Sequence, residues 1–146
     1  MVARTKIESV DEVRRWYENG LTYKEMSRLH MEKYGIEVSP SGFASLRRRM
    51  GWDPRIAVGP SPLMPWDVRE EHRSSYLYTM LRREIRRRQE MPWISVDPEE
   101  KLDQWIQGLR DNGAVVDYRP DTKMGFFLTY ARPGVDNDIV REPKVP

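Results

Sequence analysis

Apolar residues recur at helical spacing three times within the first fifty positions, and each recurrence carries its own start and stop signal. Ser9-Val10-Asp11-Glu12 forms a capping box, in which the Ser9 hydroxyl accepts from a free amide one turn on. Val10, Val13, Trp16 and Tyr17 follow as an inward stripe, and Asn19-Gly20 closes the helix. A second box, Thr22-Tyr23-Lys24-Glu25, opens a helix whose inward side is Met26, Leu29, His30 and Tyr34, with Gly35 as its stop. Ser39-Pro40 opens a third, because proline is tolerated where no amide partner is lost. Phe43, Leu46 and Met50 mark its buried side and Gly51 ends it. Ile36 and Val38 are expected to pin the second connection, which is longer than the turn of a minimal helix-turn-helix.

The pattern then changes. Residues 53–66 are rich in proline and read as an extended linker. From Asp67 to about Gln89 the spacing predicts one long helix. His72, Tyr76, Leu77, Met80, Leu81 and Glu84 share a broad side, and Ser75, Thr79, Arg82, Arg83 and Arg86 share the opposite one. Asp97-Pro98-Glu99-Glu100 reads as an N-cap, a first-position proline and two carboxylates at the positive end of a further helix. Leu102, Trp105, Ile106 and Leu109 are its stripe, and Asn112-Gly113 its end. Residues 114–118 and 126–130 read as strands joined by a turn at 119–125. The chain is therefore expected to be mostly α with a small α+β part. A three-helix helix-turn-helix domain occupies residues 1–52, with the linker at 53–66. A two-helix and hairpin unit, winged-helix-like in order, spans 67–132, and an extended tail at 133–146 drapes over the surface.

Charge sharpens this outline. The net charge is only +2, but residues 1–58 carry +3, residues 59–96 carry +2 and residues 97–146 carry −3. The basic excess lies in Arg47-Arg48-Arg49 and in Arg82 to Arg88. Phosphates respond to local charge within a Debye length of about 8–10 Å, so the clusters matter more than the total. On a helical wheel at about 100° per residue, Ser41, Ser45 and Arg48 point away from the side carrying Phe43, Leu46 and Met50. Arg49 flanks them, and Arg47 lies at the edge of the core. Small residues permit close approach, and guanidinium forks suit guanine edges or phosphates. No Asp or Glu stands four residues from this triplet within its helix to neutralise it.

Other chemistry is poorly supplied. There is no cysteine, which removes disulfides, thiolate catalysis and cysteine-bound zinc and suits a reducing cytoplasm. No apolar run approaches the ~20 residues that span a bilayer, and the N-terminus lacks the apolar core of a secretory signal. His30 and His72 each sit alone on an apolar helix side, where a histidine is more often a hydrogen-bonded core residue than a ligand or base. No glycine-rich phosphate loop is present. Asp136-Asn137-Asp138 lacks the glycine and distal glutamate of a calcium loop and reads as a solvated acidic turn. Neither catalysis, a metal, a cofactor nor a small-molecule substrate is expected.

Several segments carry a resemblance. GLTYKEM, the arginine-rich third helix, PWDVREEH, TMLRREIRRRQ, LDQWIQGL, GAVVDYRPDTKMGFF and DNDIVREP together resemble a family of small helix-turn-helix proteins of actinobacterial phages, described as immunity repressors or DNA-binding proteins. The resemblance covers nearly the whole chain. It implies a sequence-specific double-stranded DNA-binding repressor that occludes lytic promoters in the host cytoplasm, at the nucleoid, and maintains lysogeny. It assigns no individual residues. From the residues alone, Ser41, Ser45, Arg48 and Arg49 are expected to read bases. Thr22, Tyr23 and Lys24 are expected to hold phosphates, because helix N-termini favour anions, and Arg47, mainly structural with its stem over Phe43 and Met50, is expected to add a phosphate contact. Arg82, Arg83 and Arg86 would add a second phosphate anchor, or the C-terminal unit would mediate a homodimer. The rival reading is a protein-binding adaptor acting on host machinery through the acidic half and its aromatic hairpin. Structured-RNA binding is a third, without a module signature.

Overall fold

In the computed structural model, residues 6–52, 61–93 and 95–142 are described. The chain divides into two compact units, Met1–Ala57 and Val58–Pro146. It is mostly helical, with three N-terminal helices, two more helices and a two-stranded antiparallel hairpin. No helix among the described residues is long and apolar enough to cross a membrane.

The first unit holds α1 (Val10–Glu18), α2 (Tyr23–Tyr34) and α3 (Pro40–Met50). All three begin on the caps that the sequence offers. Ser9, Thr22 and Ser39 accept from the amides of Glu12, Glu25 and Gly42, each such cap contributing about 1 kcal/mol. Their inward stripes meet in one core of Val13, Trp16, Tyr17, Leu21, Met26, Val38, Phe43, Leu46 and Trp52. The Glu12 carboxylate does not fold back on its own helix end. It takes Lys33 Nζ at 2.8 Å and the Tyr34 hydroxyl at 2.7 Å, fastening α1 to the end of α2. Hydrogen bonding to Glu12 raises Lys33 above the ordinary lysine range and raises Tyr34 likewise.

One expected core residue lies elsewhere. Met50 is 51% exposed. Gly51 adopts φ +67°, and the Trp52 and Gly51 amides donate to the Arg47 and Arg48 carbonyls. This paired closure of a helix end is a Schellman motif, and its left-handed residue favours glycine. It swings Trp52 into the core against Tyr17, with ring centroids 5.4 Å apart, and leaves Met50 outside.

The second unit departs further from expectation. Residues 67–75 are not α-helical: a short 3-10 turn at Glu70–His72 precedes α4, which runs from Tyr76 to Arg88. Ser75, expected inside a long helix, is the N-cap and accepts from the Tyr78 amide. Tyr76, expected on the core side, is 64% exposed. Helix α5 (Glu99–Asp111) has Pro98, not Asp97, at its N-cap position, and no side chain caps it. Strands β1 (Ala114–Tyr118) and β2 (Phe126–Tyr130) follow and pair antiparallel, with Val116 opposite Leu128.

The core of this unit extends past both ends of the segment expected to form it. Leu63, assigned to the linker, is fully buried, and so are Ile139 and Val140 from the supposed tail. Residues 53–60 of that linker lie outside the described residues. Val116 donates to the Ile139 carbonyl and accepts from the Arg141 amide, so the C-terminal segment pairs with β1 in parallel. Asp136 is no solvated turn. Its buried carboxylate takes the Arg132 guanidinium at 3.0 Å and the Arg132 and Glu142 amides at 2.8 and 2.9 Å. Those donors hold it far below the usual carboxylate range. A further buried network joins the turn to the hairpin. The Tyr118 hydroxyl accepts from the Arg69 amide and donates to His72 Nδ1 at 2.7 Å, while His72 Nε2–H donates to the Thr122 carbonyl at 2.9 Å.

Candidate nucleic-acid interface

Helix α3 is held by its core side and by what anchors the segment before it. Ser27 donates to the Val38 carbonyl at 2.5 Å, and Val38 is buried while Ile36 packs against the same core. His30, fully buried, accepts from the Glu8 amide at Nε2 (3.1 Å) and donates from Nδ1 to the Ile36 carbonyl (2.9 Å). The two bonds fix the tautomer and give this histidine a structural task. It ties the segment before α1 and the α2–α3 connection to the core.

With the inner side committed, the outer side of α3 presents Ser41, Arg48 and Arg49 as exposed residues and Ser45 as half-buried. Ser41 Oγ lies 3.0 Å from Ser39 Oγ, and Arg48 Nη2 donates to Ser45 Oγ at 3.3 Å. Serines stand at the start of this face and guanidinium groups toward its end. Among the described residues, neither Arg48 nor Arg49 is within ion-pair distance of a carboxylate. Arg47 is different: it is half-buried, and its Nε donates to the Tyr17 hydroxyl at 3.0 Å, bracing α3 against α1. That bond makes it first a positioning residue.

At the start of α2, Thr22 and Lys24 are exposed and Tyr23 is half-buried against the core. Thr22 Oγ1 accepts from the Glu25 amide, which leaves its hydroxyl proton to donate outward. Glu25 lies in the same first turn and sets a negative charge at that helix end. Any anion there is bound against Glu25 by Lys24 and the Thr22 hydroxyl rather than by the helix terminus alone. The sequence reading overlooked Arg14. Its guanidinium lies 5.8 Å over the ring of Trp52, within reach of a cation–π contact. In the sequence its one signal is its place beside the Val13–Trp16–Tyr17 stripe, since the turn that brings Trp52 into the core is tertiary.

Two of the three arginines expected to form a second anchor are turned away from solvent. Arg83 and Arg86 are 6% and 8% exposed, and Thr79 of the same stripe is buried as well. Arg83 Nη2 meets Asp97 at 3.1 Å, which is where the carboxylate expected to cap α5 is spent. Arg82 is half-buried, with its guanidinium 5.8 Å from the Tyr78 ring centroid. The neighbouring arginines are also paired within the unit. Arg87 takes Glu84, Glu99 and Asp103, and Arg88 takes Asp138 at 2.7 Å and Glu84 at 3.6 Å. These ion pairs raise Arg87, chiefly through Glu84, and Arg88, chiefly through Asp138. Helix α4 is thus packed on nearly every side, and Arg83, Arg87 and Arg88 are held by carboxylates of this unit, Glu84 of the same helix among them.

Comparison with protein-family models, with curated proteins and with solved structures finds no match. The functional reading accordingly stands on the residues and their arrangement.

Proposed function

We propose that the protein is a sequence-specific double-stranded DNA-binding transcriptional repressor that docks α3 in the major groove and acts by occluding a promoter. The observation that carries the reading is the outer face of α3, with small serines at its start and the uncompensated Arg48 and Arg49 toward its end. Ser41, Ser45, Arg48 and Arg49 approach base edges in this reading. Thr22, Tyr23, Lys24 and Arg47 contact the flanking phosphates. A role in maintaining phage lysogeny, in the cytoplasm of a bacterial host, is part of the same proposal. No ligand or cofactor is required. The test is selection of bound sequences from a random pool of duplex DNA. A recovered consensus of a few contiguous base pairs is expected; a pool without enrichment would refute the reading.

A second reading, a protein-binding adaptor, is favoured by a different observation. The second unit exposes Tyr76, Met124, Leu128, Tyr130 and Val135, large apolar side chains of the kind that protein-binding surfaces present. Salt-insensitive capture of a protein partner, with no shift of any duplex, would support this alternative.

A further inference from the structure

Among the described residues, nothing pairs with the outer edge of strand β2. On the other side of the sheet, β1 pairs with the chain at 139–141 through the Val116 amide and carbonyl. Main-chain groups alternate direction along a strand, so Val115 and Asp117 face β2, and their partners there are Thr129 and Phe127. The main-chain groups of Phe126, Leu128 and Tyr130 therefore point outward, away from β1. The Phe126 amide turns back onto the Met124 carbonyl at 2.8 Å. The edge thus offers the Leu128 and Tyr130 amides and the carbonyls of Phe126, Leu128 and Tyr130.

This edge lacks two usual protections. Residues 126–130, FFLTY, include neither a charge nor a proline, two of the devices by which natural edges avoid pairing. Leu128 and Tyr130 are 49% and 83% exposed, although they share a sheet face with buried Phe126.

We propose that this edge is a homodimer interface, in which two copies pair β2 to β2 antiparallel about a two-fold axis at Leu128. The Leu128 amide donates to the carbonyl of the partner's Leu128, and the Tyr130 amide to that of the partner's Phe126, each bond made twice by symmetry. This is the hydrogen-bonded register of an antiparallel pair, and it leaves unpaired only the Tyr130 carbonyl opposite the committed Phe126 amide. Exposed Tyr130 comes to lie beside the partner's Phe126, and the apolar row of each sheet continues into the other. Arg132 stands opposite the partner's Met124, so no like charges face one another. An uncharged edge has nothing with which to select a charged peptide, whereas a second copy supplies both the complementary ladder and the apolar row. A contact of one short strand is smaller than the standard interface of about 1,600 Å², so the dimer is reversible. The inference is independent of the DNA reading, and its test contains no DNA.

Sedimentation equilibrium of the full chain should show a monomer–dimer equilibrium with Kd in the range of about 1–100 μM. Leu128→Lys sets two ammonium groups opposite one another at the axis. Leu128→Pro removes only the outward amide and leaves the β1 ladder intact. Both should be monomeric where the wild type is dimeric, with unchanged circular dichroism. Hydrogen exchange gives a readout that needs no variant: the Leu128 and Tyr130 amides should slow as wild-type concentration rises, while Phe127 and Thr129 stay protected throughout. Three outcomes would overturn the proposal. They are a wild type that stays monomeric, which would leave the edge to an extended segment of another protein, a dimer that survives both substitutions, and exchange at Leu128 and Tyr130 that ignores concentration.

Discussion

Replacing Arg83 by alanine distinguishes a phosphate anchor from a structural axle. Arg83 is 6% exposed and its partner Asp97 17%, with the guanidinium and carboxylate 3.1 Å apart. Removing one member of a buried pair costs about 3–5 kcal/mol, because the other is left uncompensated. Asp97 would keep Lys101 at 3.5 Å and some water, which moves the expectation to the lower end, about 3 kcal/mol. With a urea slope of about 1–1.5 kcal/mol per M for a unit of this size, the midpoint should fall by about 2–3 M. The assay is urea unfolding of the full chain followed by circular dichroism, beside the salt dependence of DNA affinity for the same variant. The double change Arg83→Met with Asp97→Leu should recover much of the loss, since an apolar pair of similar volume can replace a buried ion pair. The reasoning fails if Arg83→Ala leaves the midpoint in place while the slope of log affinity against log salt falls by about one phosphate contact.

Two other perturbations address the second unit. Gly125 has φ +71°, and a Cβ there would sit 2.5 Å from His72 Cγ. Gly125→Ala combines left-handed strain of about 1–2 kcal/mol with overpacking of about 1–3 kcal/mol, and should lower the thermal midpoint by several degrees; an unchanged midpoint would mean that the His72 ring is not fixed where described. Asp136, and Asp138 beside Arg88, have carboxyls lowered on folding by their arginine partners. A group whose folded pKa is lowered stabilises the fold above its unfolded value, about 3.9, and loses that contribution as pH falls toward the folded value. Stability should therefore decline on acidification below about pH 4, and Asp136→Asn should flatten that decline in acid-titrated melts. An equally steep decline in the variant would locate the effect elsewhere.

What was legible in the sequence was local. The caps at Ser9, Thr22 and Ser39, the stripes of α1 to α3 and the bounds of both strands all depend on neighbours within a turn or a hairpin. The outer face of α3 was legible for the same reason, because a wheel needs only the spacing. The errors share a cause in tertiary partners. Arg83 and Arg88 pair with Asp97 and Asp138, which lie far along the chain and which no spacing within a helix reveals. Ile139 and Val140 sat within a polar stretch, and only their pairing with Val116 makes them core. Ser75 carried a capping signal that the periodicity around it obscured. At the candidate interface, the tie from Arg47 to Tyr17 and the approach of Arg14 to Trp52 both depend on the turn at Gly51 or on packing between helices.

The central claim, that α3 reads DNA, meets its most direct test at Arg48. Fluorescence anisotropy would compare wild type and Arg48→Ala on the duplex recovered by selection and on a scrambled duplex of equal length. Loss of a bidentate base contact should weaken binding to the selected duplex by about 1–3 kcal/mol, or about 5- to 150-fold. Binding to the scrambled duplex should change far less. Equal affinity of the two proteins for the selected duplex would contradict the assignment of this face as the reader.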